Sequence, residues 1–183
     1  ALALFNPSSN TDAYNVAVGY SALGSATTGT ANTAVGGLAM NANTTGAGNT
    51  VLGYGALKTN TTASNNTAIG RDALELNETG AYNVAIGRDS LDANTTGGSN
   101  VAIGRYALRT LGTSDVFGQL NVAIGQSASY NQNNDSMNVA VGANALQNCT
   151  TGNLSVAMGR LAAHSATTGS QNIIISQGSG ANI

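Results

Sequence analysis

Asn100-Val101-Ala102-Ile103-Gly104-Arg105-Tyr106-Ala107-Leu108 decides how the chain is read, because the chain repeats it. Asn83-Val84-Ala85-Ile86-Gly87 precedes it and Asn121-Val122-Ala123-Ile124-Gly125 follows it. The anchoring residue falls at Asn15, Asn32, Asn49, Asn66, Asn83 and Asn100, always 17 apart, and resumes at Asn121, Asn138, Ser155 and Asn172. Only the step from Asn100 to Asn121 breaks phase, by four extra residues. A segment that recurs at fixed period is a structural unit stacked on copies of itself. The repeat array therefore spans residues 15–176, with an insertion within 109–117. Residues 1–14 form a cap or linker and 177–183 a tail.

Each unit can be numbered from its anchoring residue, position 1. Position 2 is β-branched throughout (Val16, Thr33, Thr50, Thr67, Val84, Val101, Val122, Val139, Val156, Ile173), which marks a strand. Position 4 is a large aliphatic, including Ile86, Ile103 and Ile124. Position 5 is Gly from Gly19 through Gly159, and only Ser176 departs. Glycine gives a corner the backbone freedom that a residue with a Cβ resists. Thr-Thr-Gly, as in Thr95-Thr96-Gly97, reads as the second corner. Each unit is then expected to hold a strand of about 5 residues, a Gly corner, a short second strand and a Thr/Gly corner. The fold class is all-β: a parallel β-solenoid, or β-roll, of 17-residue coils. Coils about 4.8 Å apart make a rod roughly 45 Å long.

Composition agrees. Charged residues are 8% of the 183-residue chain, and polarity comes from Asn, Thr, Ser and 24 glycines. A net charge of −2 with six Lys and Arg leaves no basic patch, so nucleic acid is not an expected partner. No apolar run approaches the ~20 residues of a spanning helix, so no membrane insertion is expected of this segment. The single cysteine, Cys149, forms no internal disulfide. The opening Ala1-Leu2-Ala3-Leu4-Phe5 is too short for a signal-peptide core and lacks a basic lead-in. With no starting Met, the chain reads as a mature or excised fragment.

The pleat carries an expectation about assembly. Positions 2 and 4 point to one face of the strand and position 3 to the other. Position 3 is almost all Ala, which suits a thin interior. The opposite face, with columns including Val84, Ile86, Val101, Ile103, Val122 and Ile124, is an apolar strip too long to face water. One face fills the coil and the other needs a partner chain, so a homo-oligomer of cyclic symmetry is expected.

The Asn-Val-Ala-Ile-Gly-x-x-Ala-Leu motif, repeated from Asn15 to about Ser176, resembles the head repeats of trimeric autotransporter adhesins and related β-roll repeats in bacteriophage tail-fibre shafts. The resemblance implies a left-handed parallel β-roll, a side-by-side homotrimer, and display at a cell surface or on a virion fibre. The adhesin head repeat is shorter than 17 residues, the extra length here falling around Asn-Thr-Thr-Gly.

Candidate sites are few. Arg71, Arg88 and Arg105 share one position in consecutive coils, with Asp72 and Asp89 beside the first two. Like charges stacked about 4.8 Å apart repel unless carboxylates or a neighbouring chain intervene. The column reads as a ladder of salt bridges, within the chain or between protomers, or as an anion- or glycan-binding stripe. The irregular region is the better candidate for binding, since solenoid insertions map to loops on one face. There Arg109, Asp115, Phe117, Tyr130 and Asp135 could contact a sugar or partner, with Phe117 and Tyr130 expected to be exposed. His164 and Cys149 lack the partners that catalysis needs. The sequons at Asn43, Asn60, Asn77 and Asn94 arise from the repeat and admit glycosylation in a host that glycosylates. The Thr28, Thr45, Thr62, Thr79 and Thr96 column sits at a turn, unlike a flat ice-binding array.

The expected function is a non-enzymatic structural and adhesive segment of an extracellular fibre, without metal or cofactor, attaching to a host glycan or matrix protein. The alternative is a self-assembling extracellular filament joined head to tail through the apolar ends, Ala1–Phe5 and Ile173–Ile175.

Overall fold

A computed structural model describes residues 14–110, 118–132 and 136–178. Its regular elements are ten strands of three residues: β1 Val16–Val18, β2 Thr33–Val35, β3 Thr50–Leu52, β4 Thr67–Ile69, β5 Val84–Ile86, β6 Val101–Ile103, β7 Val122–Ile124, β8 Val139–Val141, β9 Val156–Met158 and β10 Ile173–Ile175. They form one parallel sheet in sequence order, β1 through β10. This is a β-solenoid, each strand one rung above the last. The insertion does not shift the register, because Val101, Ala102 and Ile103 pair with Val122, Ala123 and Ile124. The residues between, 111–117, lie outside the described residues.

The pleat resolves which face is inside. The middle residue of β1 to β9 is fully buried, while the flanking β-branched and aliphatic residues are half-buried or exposed. Ala therefore faces inward, and Val and Ile face outward. The small interior is completed by position 8 and position 9, where Ala39, Ala56 and Ala107 lie beside Met40, Leu57 and Leu108, all fully buried.

Among the described residues the expected second strand is absent. Across positions 6–9 the backbone enters the left-handed region at alternate residues, with φ of 54° at Leu74, 50° at Leu91 and 48° at Leu108. Holding a bulky L-residue there costs roughly 1–2 kcal/mol. Full burial of a leucine side chain contributes about 1.5–3 kcal/mol, which offsets that cost. The alternation also aims successive amides at opposite neighbours. Leu38 N–H donates to Tyr20 of the preceding coil at 2.8 Å, and Met40 N–H to Ala56 of the following coil at 3.0 Å. Inter-coil hydrogen bonding thus continues through the turns. The extended strands are correspondingly shorter than the expected 5 residues.

The position 5 glycines are set by contact as well as by φ. Gly87 has φ of 129°, and a Cβ there would lie 2.7 Å from the carbonyl carbon and oxygen of Gly104 in the next coil.

Buried asparagines form a second interior system. At position 1 each backbone N–H donates to Oδ1 of the asparagine one coil earlier, at 2.9–3.0 Å from Asn32 through Ser155. The Nδ2 groups donate to position 15 carbonyls, for example Asn66 to Gly80 at 2.9 Å and Asn83 to Gly97 at 2.8 Å. At position 12, Asn60 donates to Asn43 Oδ1 at 2.8 Å, Asn77 to Asn60 at 3.3 Å and Asn94 to Asn77 at 2.7 Å. Those four position 12 residues are the sequon asparagines. Their side chains are fully buried and hydrogen-bonded, so in the folded chain they are not glycosylation acceptors.

Candidate functional site

The outward residues that follow the Gly corner are set by one backbone rule. Position 7 is left-handed, with φ of 55° at Asp72, 54° at Asp89 and 61° at Tyr106, so position 6 and position 7 side chains turn back toward each other. Where position 7 is Asp, the pair is ionic: Arg71 Nε lies 2.9 Å from Asp72 Oδ2, and Arg88 Nε 2.9 Å from Asp89 Oδ2. The charged ladder is thus built from pairs within each coil. These pairs are exposed enough to contribute little to stability, but they neutralise the stacked guanidiniums. At Arg105 the pattern changes. Its guanidinium lies 4.3 Å from the centroid of the Tyr106 ring, and Nη2 donates to the Tyr106 hydroxyl at 2.9 Å.

A second outward column, position 10, reads Lys58, Glu75, Asp92, Arg109, Tyr130. Lys58 Nζ donates to Glu75 Oε1 at 3.1 Å, which raises the Lys58 pKa by stabilising the ammonium. Arg109 Nε donates to Asp92 Oδ2 at 3.2 Å and Nη1 to the Tyr130 hydroxyl at 2.6 Å. Burial pushes the Asp92 carboxyl above its ordinary value, the Arg109 hydrogen bond opposing it. The Arg109 guanidinium is held charged more firmly than usual, first by the Tyr130 hydroxyl and then, against its own desolvation, by Asp92.

The two columns meet beside the insertion. Arg109 lies 5.2 Å from the Tyr106 centroid and 5.7 Å from that of Tyr130, and the two rings make an edge-to-face pair at 6.0 Å. This cluster of Arg105, Tyr106, Arg109, Tyr130 and Asp92 is the candidate site. It unites Arg109 and Tyr130, as the irregular region suggested, and draws in Arg105 from the charged ladder. Tyr130 is half-buried against Arg109 rather than exposed. Asp115, Phe117 and Asp135 lie outside the described residues. Sequence reading missed Tyr106 and Asp92. Aligning the variable positions 7 and 10 down the repeat shows both, Tyr106 where Asp stands in the two preceding coils and Asp92 next to Arg109.

The interior also changes at this point. Among the described residues, four buried oxygens lack a hydrogen-bond partner: Asp92 Oδ1, Asn94 Oδ1, Thr96 Oγ1 and Gln132 Oε1. All belong to the coils bracketing the insertion. The position 12 residue that would continue the Asn94 column falls within 111–117. Gln132 takes position 12 in the next coil, and its Nε2 crosses to Asn121 Oδ1 at 3.1 Å. Cys149 continues the same column and is buried. His164 is half-buried, its carbonyl accepting from Asn148 Nδ2 at 3.0 Å. Thr28, Thr45, Thr62 and Thr79 are exposed and Thr96 is half-buried. Among the described residues no three His, Cys, Asp or Glu side chains gather as a metal site would require, and no helix is long and apolar enough to cross a membrane.

No protein-family model, curated protein or solved structure matches the chain.

Proposed function

We propose that this chain is a rigid, non-enzymatic segment of an extracellular fibre, three copies associating side by side and presenting a surface for attachment to a host cell or matrix. The observation that carries the reading is the outward face of the sheet. Val16, at position 2, and Leu52, Ile124 and Met158, at position 4, are 44%, 51%, 38% and 42% exposed, and position 4 is apolar in every coil of the array. Leu120, Met137 and Leu154, at position 17 of three consecutive coils, add a third exposed apolar column in the C-terminal half. An apolar strip on that scale marks an interface, and a regular strip is satisfied by the same strip on another copy. The resemblance of the repeat to trimeric adhesin heads and tail-fibre shafts supports the number three, the left-handed winding and the surface location.

Mass measurement in solution tests it. A discrete trimer is expected, with Ile86→Asp and Ile103→Asp together dissociating it, and wild-type chain is expected to adhere to host cells or matrix-coated plates. A stable wild-type monomer sinks the reading. The alternative, a filament subunit joined head to tail, draws on the terminal rung β10, where Ile173 and Ile175 are 77% and 73% exposed on an edge strand. Exposed strand edges invite pairing, and long polymers in the same measurement favour it.

A further inference from the structure

The Arg71, Arg88 and Arg105 column contains its own control. At Arg71 and Arg88 the guanidinium is met by the carboxylate of the next residue, 2.9 Å away in both. In the third coil the backbone keeps its left-handed turn, yet Tyr106 replaces the aspartate. Arg105 is exposed, and among the described residues it has no carboxylate partner. Instead it is stacked on Tyr106 and tied to the Tyr106 hydroxyl by one N–H. A stacked guanidinium is oriented at little entropic cost, and its remaining donors keep the fork geometry that matches a carboxylate. Tyr106 is itself braced by Arg109 and Tyr130.

We propose that Arg105, held on Tyr106, binds the carboxylate of an acidic sugar, which takes the place that Asp72 and Asp89 fill in the preceding coils. This rests on the reading of the chain as an attachment segment. One open guanidinium matches one singly charged group. Arg109 adds no second unpaired cation, because its charge is met by the Asp92 carboxylate 3.2 Å away. A doubly charged phosphate would therefore be met by only one guanidinium. The group beside the fork is the Tyr106 hydroxyl, with the Tyr106 ring under it, a surface that suits a polyhydroxylated ligand.

The test is calorimetric binding of the full chain to an oligogalacturonate, to its methyl ester, to a sulfated oligosaccharide and to a poly-glutamate peptide. The oligogalacturonate is expected to bind and the ester not to. Arg105→Gln and Tyr106→Asp are expected to weaken binding about tenfold or more, the size of a lost charge-assisted contact. Tyr106→Asp installs the carboxylate found in the two preceding coils, so the fold should survive, as circular dichroism would confirm. Asp89→Tyr opens the fork at Arg88 and should add a second equivalent of ligand. Equal binding of the ester, the sulfated sugar or the peptide overturns the assignment. So does unchanged binding by Arg105→Gln, or no added equivalent with Asp89→Tyr. A change of oligomer mass in Arg105→Gln would assign the carboxylate to a second copy and likewise overturn it. Wild type that ignores all four probes yet adheres to cells or matrix overturns this inference alone. Wild type that also fails to adhere overturns the attachment reading with it.

Discussion

The coils from Asn32 to Ser99 and those from Asn100 to Met137 share the strand, the glycine corner and the position 1 asparagine ladder, yet they differ at the second corner and on the outward side. In the first region position 12 is asparagine in each coil, and the column is hydrogen-bonded from rung to rung. In the second, Gln132 takes position 12 after the insertion, and among the described residues the unpartnered buried oxygens lie in the two flanking coils, at Asp92, Asn94, Thr96 and Gln132. The outward side changes in parallel, from carboxylate–guanidinium pairs to the Arg–Tyr cluster. The comparison separates two demands on the sequence. The strand and the glycine corner hold register, and they tolerate four extra residues a few positions away without slipping. The Thr/Gly corner carries the buried amides, and that is where departure leaves polar atoms unmet.

The largest effect should come from the element both regions share. Gly87→Ala sets a Cβ against the next coil's carbonyl at a φ that L-residues avoid, and should cost about 3 kcal/mol or more. Urea unfolding measures it, and because repeats are stabilised by their neighbours, hydrogen exchange should show the loss in coils on both sides. A neutral Gly87→Ala would mean that the stack is looser than its backbone contacts indicate.

Next comes a paired test within one column. Asn60 is fully engaged, giving to Asn43 and Ala63 and accepting from Asn77. Asn60→Ala should cost about 2–3 kcal/mol, because it strands buried partners. Asn94 already has an unmet Oδ1, so Asn94→Ala should cost about 1 kcal/mol less. Equal losses would erase the distinction between the regular and interrupted coils.

The smallest effect is a pH dependence. The folded Asp92 carboxyl titrates above its ordinary value because of burial, so the native state binds more protons than the unfolded chain in that interval. Stability should therefore fall as pH rises from about 4 through the raised value. Asp92→Asn should flatten that slope in urea midpoints taken across the acid range. A slope unchanged by Asp92→Asn would place the titration elsewhere.

How much of this was legible follows from which positions a stack constrains. The 17-residue period, the strand at positions 2–4 and the glycine corner are plain in the sequence, because a rung repeats its chemistry wherever side chain or backbone touches the next rung. The missing second strand was not legible. Leucine disfavours left-handed φ in isolation, and only burial and inter-coil hydrogen bonds make it acceptable at Leu74, Leu91 and Leu108. The position 12 asparagines misled for a related reason. Asn-x-Thr looks like a surface acceptor site, while the adjacent rung makes it an interior ladder. The candidate cluster was half legible: Arg109 and Tyr130 stood out beside the insertion, but Tyr106 is informative only against Asp72 and Asp89.

The continuous inter-coil hydrogen bonding has a consequence for heredity. From β1 to β10 each strand presents the same backbone donors and acceptors above and below, so a gene duplication or deletion of one whole repeat leaves each remaining rung with a suitable neighbour. A frame-preserving change of any other length must leave the strand register intact, as the four extra residues between Asn100 and Asn121 do. Descendants of such a gene can add or remove rungs only as wholes, so the length of the stack is inherited as a count.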